Sequence, residues 1–518
     1  MDGAQKTVAY TYDPVGNRSR MTDPDDGRCT YAYDANSQLT VLRNPQEDRT
    51  SFSYDVAGRR TLKELANGTR ATMIYDAAGS LTRIANLKSD NSVISQSDYS
   101  YNAAGKRTRI VSADGSVTTY SYDSLYQLTR EQRSASNSSW SGLTVDGWGD
   151  LTADGWSTLQ GNDAYDQQYQ YDANLNRTVK DLDGTRTTVT YDAADQIRYQ
   201  LNAAGRTTYT FDANGNEILV LTPTGERTTT VWNYENSPVV TATPDKGTQT
   251  SVYDPDNVRV KKLDQDGTTR FIYDGQAYLL ETNGSNVTVA VYTQEPTTYG
   301  YVASQYRLTN GVWTPSYYQQ DALGSTLQLT DAAQNVTDTW LYDAWGEVLA
   351  RTGETVNPFE WIGAWGYYKD QATGLYYVRA RDMRSSDGRW RRPDPLLFVD
   401  GPNLYVLYFV PNGVDPSGEI AIPLPPPTLI PPIYLFCPLC LPILTATAVI
   451  TVIVVVTIWV LQRKRDIKQI DDIVKEYCLN DKQRRRLHDE LQREKQGRSE
   501  LDRETIIEVL CAMFPEKC

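Results

Sequence analysis

The 518-residue sequence contains a single histidine, His488, and places only one of its six cysteines, Cys29, ahead of residue 437. One late histidine excludes a multi-histidine metal centre, and it leaves everything before it without the commonest acid-base side chain. A lone Cys29 excludes a disulfide framework over the same stretch. Phenylalanine is scarce as well, 8 residues against 36 tyrosines. No charged-then-apolar leader opens the chain, because MDGAQKTVAYTYD runs almost directly into Tyr10 and Tyr12. Export would therefore need a dedicated machine, or the true start lies upstream. Positive charge is short too: the formal net charge is -14, and the residues after Gln462 carry 14 Lys/Arg against 13 Asp/Glu, so the deficit of about -15 lies before them. Such an acidic, tyrosine-rich surface repels phosphates and argues against a nucleic-acid partner. Sugars, cations, cationic proteins and the chain's own tail remain as partners. No phosphate loop, nucleophile motif or ligand cluster calls for a cofactor or a metal.

What is present is a repeat. Aligned on Tyr-Asp and its variants, the tyrosine or its substitute falls at Tyr12, Tyr33, Tyr54, Tyr75, Tyr101, Tyr122, Tyr171, Tyr191, Phe211, Tyr234, Tyr253 and Tyr273, mostly 19 to 23 residues apart. The consensus is Y-x-Y-D-x-x-G, as at Tyr10, Tyr12, Asp13 and Gly16. It predicts an extended Tyr-x-Tyr strand, a turn opened by Asp and closed by a glycine at positive φ, and a return strand such as Ser80 to Ile84. A second turn, Asn67-Gly68, Asp114-Gly115, Asp183-Gly184 or Asp266-Gly267, starts the next hairpin. One hairpin is marginal alone, so neighbours must form a continuous sheet that buries the repeated Tyr and Leu. Repetition at this period reports packing, and a dozen equivalent catalytic sites would be odd. Residues 134–163 interrupt the array with Asp146-Gly147-Trp148 and Asp154-Gly155-Trp156, either a distorted repeat or an exposed loop. Exposed Trp could stack on sugar rings, although Trp in β proteins is more often packed.

The units Tyr54-Asp55-Val56-Ala57-Gly58-Arg59-Arg60 and Tyr75-Asp76-Ala77-Ala78-Gly79 resemble the Rhs or YD repeats of bacterial polymorphic toxins, insecticidal toxin-complex subunits and animal teneurins. Residues 318–418 resemble the Rhs-associated core, through Asp321 to Gly324, Tyr342-Asp343 to Gly346, Thr373-Gly374 to Arg379 and Arg381, and Gly388-Arg389-Trp390. The match continues in Asp394-Pro395, Asn403-Leu404-Tyr405 and Asp415-Pro416-Ser417-Gly418. The resemblance implies an all-β fold, a hairpin ribbon wound into a shell, with the core plugging one end and a variable C-terminal segment held within or beyond it. A dozen repeats are fewer than toxin carriers generally have, so an open ribbon or partial shell is as compatible as a closed one. The domain boundaries expected are 1–316 for the array, 317–418 for the core, 419–442 for a Pro-rich apolar connector, 443–461 for a membrane helix and 462–518 for a helical tail.

In several family members the core is also an aspartyl self-protease that cuts just after the Asp-Pro-x-Gly element. Carried over, the two catalytic carboxylates are Asp394 and Asp415, with cleavage near Glu419-Ile420. The chemistry requires one carboxyl protonated and one ionised around a water. The alternative is that both aspartates cap turns fixed by proline. Three departures bear on the choice: the stretch Pro411 to Asp415 is one residue short, Asp382 replaces an aromatic after Arg381, and Glu419 replaces an apolar residue.

Beyond the connector, Ile443 to Leu461 (ILTATAVITVIVVVTIWVL) is uncharged over 19 residues, close to the length of a bilayer core as a helix. Arg463, Lys464 and Arg465 follow it, whereas no Lys or Arg lies between Arg392 and the run, which puts the tail in the cytoplasm and the shell outside. The helix could equally be cargo, shielded until it meets a target membrane. Cys437-Pro-Leu-Cys440 has thioredoxin-like spacing without the βαβ context that such chemistry uses. The tail reads as a small helical element, with Leu501, Ile506, Ile507, Leu510 and Phe514 on one stripe. Arg484-Arg485-Arg486 reads as a solvated or phosphate-facing helix edge. His488 and Asp489 do not face each other on a helix and make no acid-base pair. Three readings follow: a shell that carries a membrane-inserting segment, a membrane-anchored surface binder of sugars or neighbouring cells, and an enzyme through self-cleavage or a toxic tail.

Overall fold

The computed structural model describes residues 6–135 and 164–423. Thirty strands, β1 (Ala9–Tyr12) to β30 (Val348–Thr352), form one sheet. Each strand pairs antiparallel with the next in sequence, as in β5 (Arg49–Tyr54) with β6 (Arg60–Glu64) and β6 with β7 (Arg70–Tyr75). The sheet is therefore an uninterrupted meander, the simplest topology that hairpin repeats can build.

The repeat residues explain the geometry. In the unit around Asp55, the carboxylate Oδ1 accepts the backbone N–H groups of Ala57 and Arg59, both at 2.9 Å, while Gly58 closes the turn at φ 80°. The one-residue register shift between Ser53 and Tyr54 is the bulge that a three-residue loop with a left-handed residue produces. From Tyr54 onward the tyrosine of the repeat is a staple. Tyr54 donates its hydroxyl to the Leu39 carbonyl at 2.8 Å, Tyr75 to Arg60 at 2.8 Å and Tyr273 to Arg259 at 2.7 Å, so each unit is tied to the preceding one. The return strand begins one residue later than expected, at Leu81, because Ser80 N–H is held by Asp76. The Tyr234 assignment is corrected: Trp232 ends its strand and donates Nε1–H to the Glu217 carbonyl at 2.8 Å. Asn233 opens that turn, and Tyr234 sits fully exposed within it. An indole N–H does the work of the phenol there, and alignment on the letter Tyr shifted the unit by two positions.

Residues 136–163 lie outside the described residues, with Trp148 and Trp156. The ladder nonetheless continues across them, with Arg133 opposite Tyr165. Late strands return alongside early ones through side chains. Arg60 clamps Glu295 at 2.6 and 2.8 Å, Asn67 donates to the Asp331 carbonyl at 2.8 Å, and Gln334 accepts the Ser89 N–H at 2.8 Å.

After β30 the chain leaves the ribbon and forms a plug. It holds a four-stranded sheet, β31 (Tyr368–Lys369), β32 (Tyr376–Val378), β33 (Arg381–Arg384) and β34 (Arg389–Trp390), and a small pair, β35 (Gly413–Val414) with β36 (Ile422–Pro423). Trp361, Tyr367, Tyr376, Trp390 and Phe409 pack with Leu128, Tyr169 and Trp345 of the ribbon in one apolar cluster. Polar contacts run from hairpin to hairpin around it: Asn412 to Arg107, Arg389 to Asn176, Tyr405 to Gly215, Asp370 to Arg259 and Arg379 to Gln276. Among the described residues no helix is long and apolar enough to cross a membrane. The expected membrane run Ile443 to Leu461, Cys437, Cys440 and the helical tail with His488 lie outside the described residues.

Candidate active site

Asp394 follows β34 and Asp415 follows β35, and the plug brings both onto one guanidinium. Arg381, the first residue of β33, reaches Asp394 Oδ2 with Nη1 at 3.0 Å and Asp415 Oδ2 with Nη2 at 3.1 Å. Its Nε donates to the carbonyl of Gly418, and its plane lies 4.3 Å from the ring centre of Trp390. All three charged side chains are buried, with 2, 5 and 1% of their side-chain surface exposed. The shortened Pro411 to Asp415 stretch therefore still places Asp415 opposite Asp394's partner.

Each aspartate divides its oxygens between two tasks. Oδ1 of Asp394 accepts Leu396 N–H at 2.7 Å, and Oδ1 of Asp415 accepts the N–H groups of Glu419 and Ile420, both at 3.1 Å, with the Ser417 hydroxyl at 3.0 Å. These are turn caps of the kind used throughout the ribbon. The Oδ2 atoms differ, because they converge on Arg381. The turn-cap and charge-site readings describe opposite oxygens of the same carboxylates.

Burial pushes the Asp394 carboxyl up to about 7, against the pull of Arg381 and the Leu396 N–H, and the charges of Asp400 and Asp415 add to the rise. Arg381 cannot hold it lower because its one charge is shared by two carboxylates. Asp400 is a third acid, raised to about 6 by burial and by Asp415, and its Oδ2 accepts Ala421 N–H at 2.9 Å. Sequence reasoning passed over Asp400, whose Asp-Gly setting reads as an ordinary turn. In the sequence Arg381 is one letter of a motif, and nothing in its spacing from residues 394 and 415 says that they meet. Asp382, which replaces an aromatic, is buried beside Arg391, Arg259 and Arg392, and burial raises it to about 6. Arg392 is lowered to about 10 by burial and by Arg381, against the opposing pull of Asp382, Tyr253 and Glu419.

The family model described as RHS Repeat matches residues 12–48, 33–64 and 101–138, which include the Tyr54 staple and the Asp55 turn described above. This chain is an RHS/YD-repeat protein. Among curated proteins, the RHS/YD-repeat chain is 31% identical over 249 residues to the tRNA3(Ser)-specific nuclease WapA of Bacillus spizizenii, covering 46% of this chain and 10% of that protein. It is 33% identical over 111 residues to Toxin protein Tse5 of Pseudomonas aeruginosa, covering 21% of this chain and 8% of that one. The chain thus spans a tenth or less of these relatives' length. Its fold matches a chain of the Photorhabdus luminescens Tc holotoxin pore at a TM-score of 0.64 and 20% identity, over 80% of this chain and 21% of that one.

Proposed function

We propose that this RHS/YD-repeat protein is the plugged end of a carrier shell and that the plug cuts the chain behind it, releasing everything after the core as cargo. The observation that carries the reading is the convergence of Asp394 and Asp415 on Arg381, directly against the backbone of residues 418–420. A carboxyl near 7 beside a carboxylate that only accepts hydrogen bonds is the unlike pair that water activation needs. The toxins among its relatives support a cargo role, and the uncharged run Ile443 to Leu461 supports a cargo that enters a membrane.

Purified full-length protein should run as two fragments with the new N-terminus at or next to Ile420. Asp394→Asn and Asp415→Asn should each leave one intact chain, because an amide neither ionises nor donates an acid proton. Wild-type protein that stays intact at neutral and mildly acidic pH would sink the reading. A cut that persists in both variants would assign it to an outside protease.

A further inference from the structure

The stretch of ribbon from β15 (Thr185–Tyr191) to β23 (Gly267–Asp274) has two unlike faces. The inner face meets the plug: Gln200 donates to Asp387 at 2.8 Å, Arg391 to Thr230 at 2.6 Å and Gln249 to Asp370 at 3.2 Å. The alternate residues of the same strands point outward, where an antiparallel sheet with one solvated face normally carries polar side chains. Here Leu201, Val231, Val252 and Leu263 stand 46, 56, 41 and 46% exposed. Cations are interleaved with them. In the strand pairing Arg206 lies opposite Leu201, Arg227 opposite Leu221 and Lys261 opposite Val252. With Arg186 and Arg270 added, the outward positions of these strands hold Arg and Lys but no Asp or Glu. At the margin, Asp181 of the preceding β14 (Arg177–Leu182) stands opposite Arg186. Among the described residues Arg186, Arg206, Arg227 and Lys261 form no ion pair, and Arg270 donates to the carbonyls of Asn283 and Gly284, both at 2.9 Å. Lys261 and Arg270 stand directly opposite each other, a like-charge pair that costs the sheet stability. The net charge of -14 conceals this wall because the nearby acids are used elsewhere. Asp192, Asp212 and Asp254 cap turns, and Glu217 and Asp264 are buried.

We propose that this outer wall docks on the surface of an anionic lipid bilayer, its cations against the headgroup phosphates and its exposed aliphatic side chains in the layer beneath them. An exposed apolar patch on a folded chain marks a contact surface, and the charge of this one selects an anionic partner. The interleaving selects lipid. A bilayer surface takes cations and aliphatic groups side by side over a continuous area, and its phosphates supply the counter-charge that Lys261 and Arg270 lack. A single-stranded nucleic acid would need aromatic platforms for its bases, and Tyr199, the aromatic of this face, is covered by the Arg206 guanidinium at 4.0 Å from its ring centre. The inference stands apart from self-cleavage and from the uncharged run Ile443 to Leu461, because every residue in it belongs to the ribbon.

The test is oxidative footprinting of full-length protein, read by mass spectrometry, with vesicles of phosphatidylcholine alone and of phosphatidylcholine mixed with phosphatidylglycerol. Leu201, Val231, Val252 and Leu263 should lose labelling on the anionic vesicles and keep it on the neutral ones, and added salt should restore it by screening. The double variant Arg227→Gln, Lys261→Gln should bind the anionic vesicles about 25-fold more weakly, roughly 5-fold for each cation removed. Unchanged labelling of the four aliphatic residues on anionic vesicles would overturn the proposal even if the protein floats with them, because Ile443 to Leu461 can anchor a chain without covering this wall. Protection by polyglutamate or by DNA in solution, with none by vesicles, would also overturn it and assign the wall to a soluble polyanion. The wild-type footprint decides the matter whether or not the double variant folds.

Discussion

Glu217 offers the sharpest measurement of how the plug is held to the ribbon. It begins β18 (Glu217–Leu221), and its carboxylate accepts Arg384 at 2.6 and 2.8 Å and Arg391 Nε at 3.0 Å, while its own N–H donates to the Arg391 carbonyl at 3.0 Å. Burial opposes the charge, but the two plug arginines overcome it and hold the carboxyl down from 4.5 to about 2. That displacement corresponds to about 3 kcal/mol of folded-state preference for the charged form. Glu217→Gln removes the charge and leaves two buried guanidinium groups, one still on Asp387 and the other on Thr230. A loss of about 3 kcal/mol is expected at pH 7, at the lower end of the range for breaking a buried pair. Since the folded pKa lies below the unfolded one, the contribution is complete above about 4.5 and disappears as pH falls toward 2. Urea unfolding followed by tryptophan fluorescence would read it, with Trp232 and Trp390 both next to the clamp. The gap between wild type and Glu217→Gln should be full at pH 7 and close as the acid range is crossed. Equal midpoints at pH 7, or a gap that does not change down to pH 2.5, would refute the assignment of these arginines as the plug's anchor.

Other expectations follow from single contacts. Tyr75→Phe removes the hydroxyl from the buried Arg60 carbonyl and should cost about 1 kcal/mol in urea unfolding; no change would mean the staples carry no stability. Gly58→Val forces a β-branched residue to φ 80° and 3.2 Å from Gln38 Nε2, so a loss of at least about 1–2 kcal/mol should appear, spreading to neighbouring hairpins in hydrogen exchange. Because Asp394 titrates at about 7 and acts as the acid, self-cleavage should be present at pH 5–6 and fall away as pH rises through about 7; a rate that climbs across that range would contradict the acid role. Full-length protein expressed in cells should resist carbonate extraction while a chain ending at Gly418 should not, and a soluble full-length protein with no shielded tail would remove the membrane reading of Ile443 to Leu461.

The sequence by itself determined the local unit and its succession. A turn needs only an Asp or Asn side-chain oxygen able to cap backbone N–H groups and a residue able to take positive φ, and both are written within a few residues of the repeat's aromatic. Consecutive pairing then follows, because a short loop leaves the next strand no other neighbour. That same locality misled at Tyr234, where the chemistry of Trp232 replaced the expected letter. It also hid the purpose of the tyrosine, whose acceptor lies in the preceding unit. Only the tertiary structure could place Arg381 between Asp394 and Asp415, add Asp400, and set the Gly418 carbonyl on the same guanidinium. These groups are brought together by the plug's irregular loops, whose path depends on burying Trp361, Trp390 and Phe409 against the ribbon. The protonation state of Asp394 is likewise a property of burial and of one cation shared by two acids, neither of which is encoded in the residues beside it.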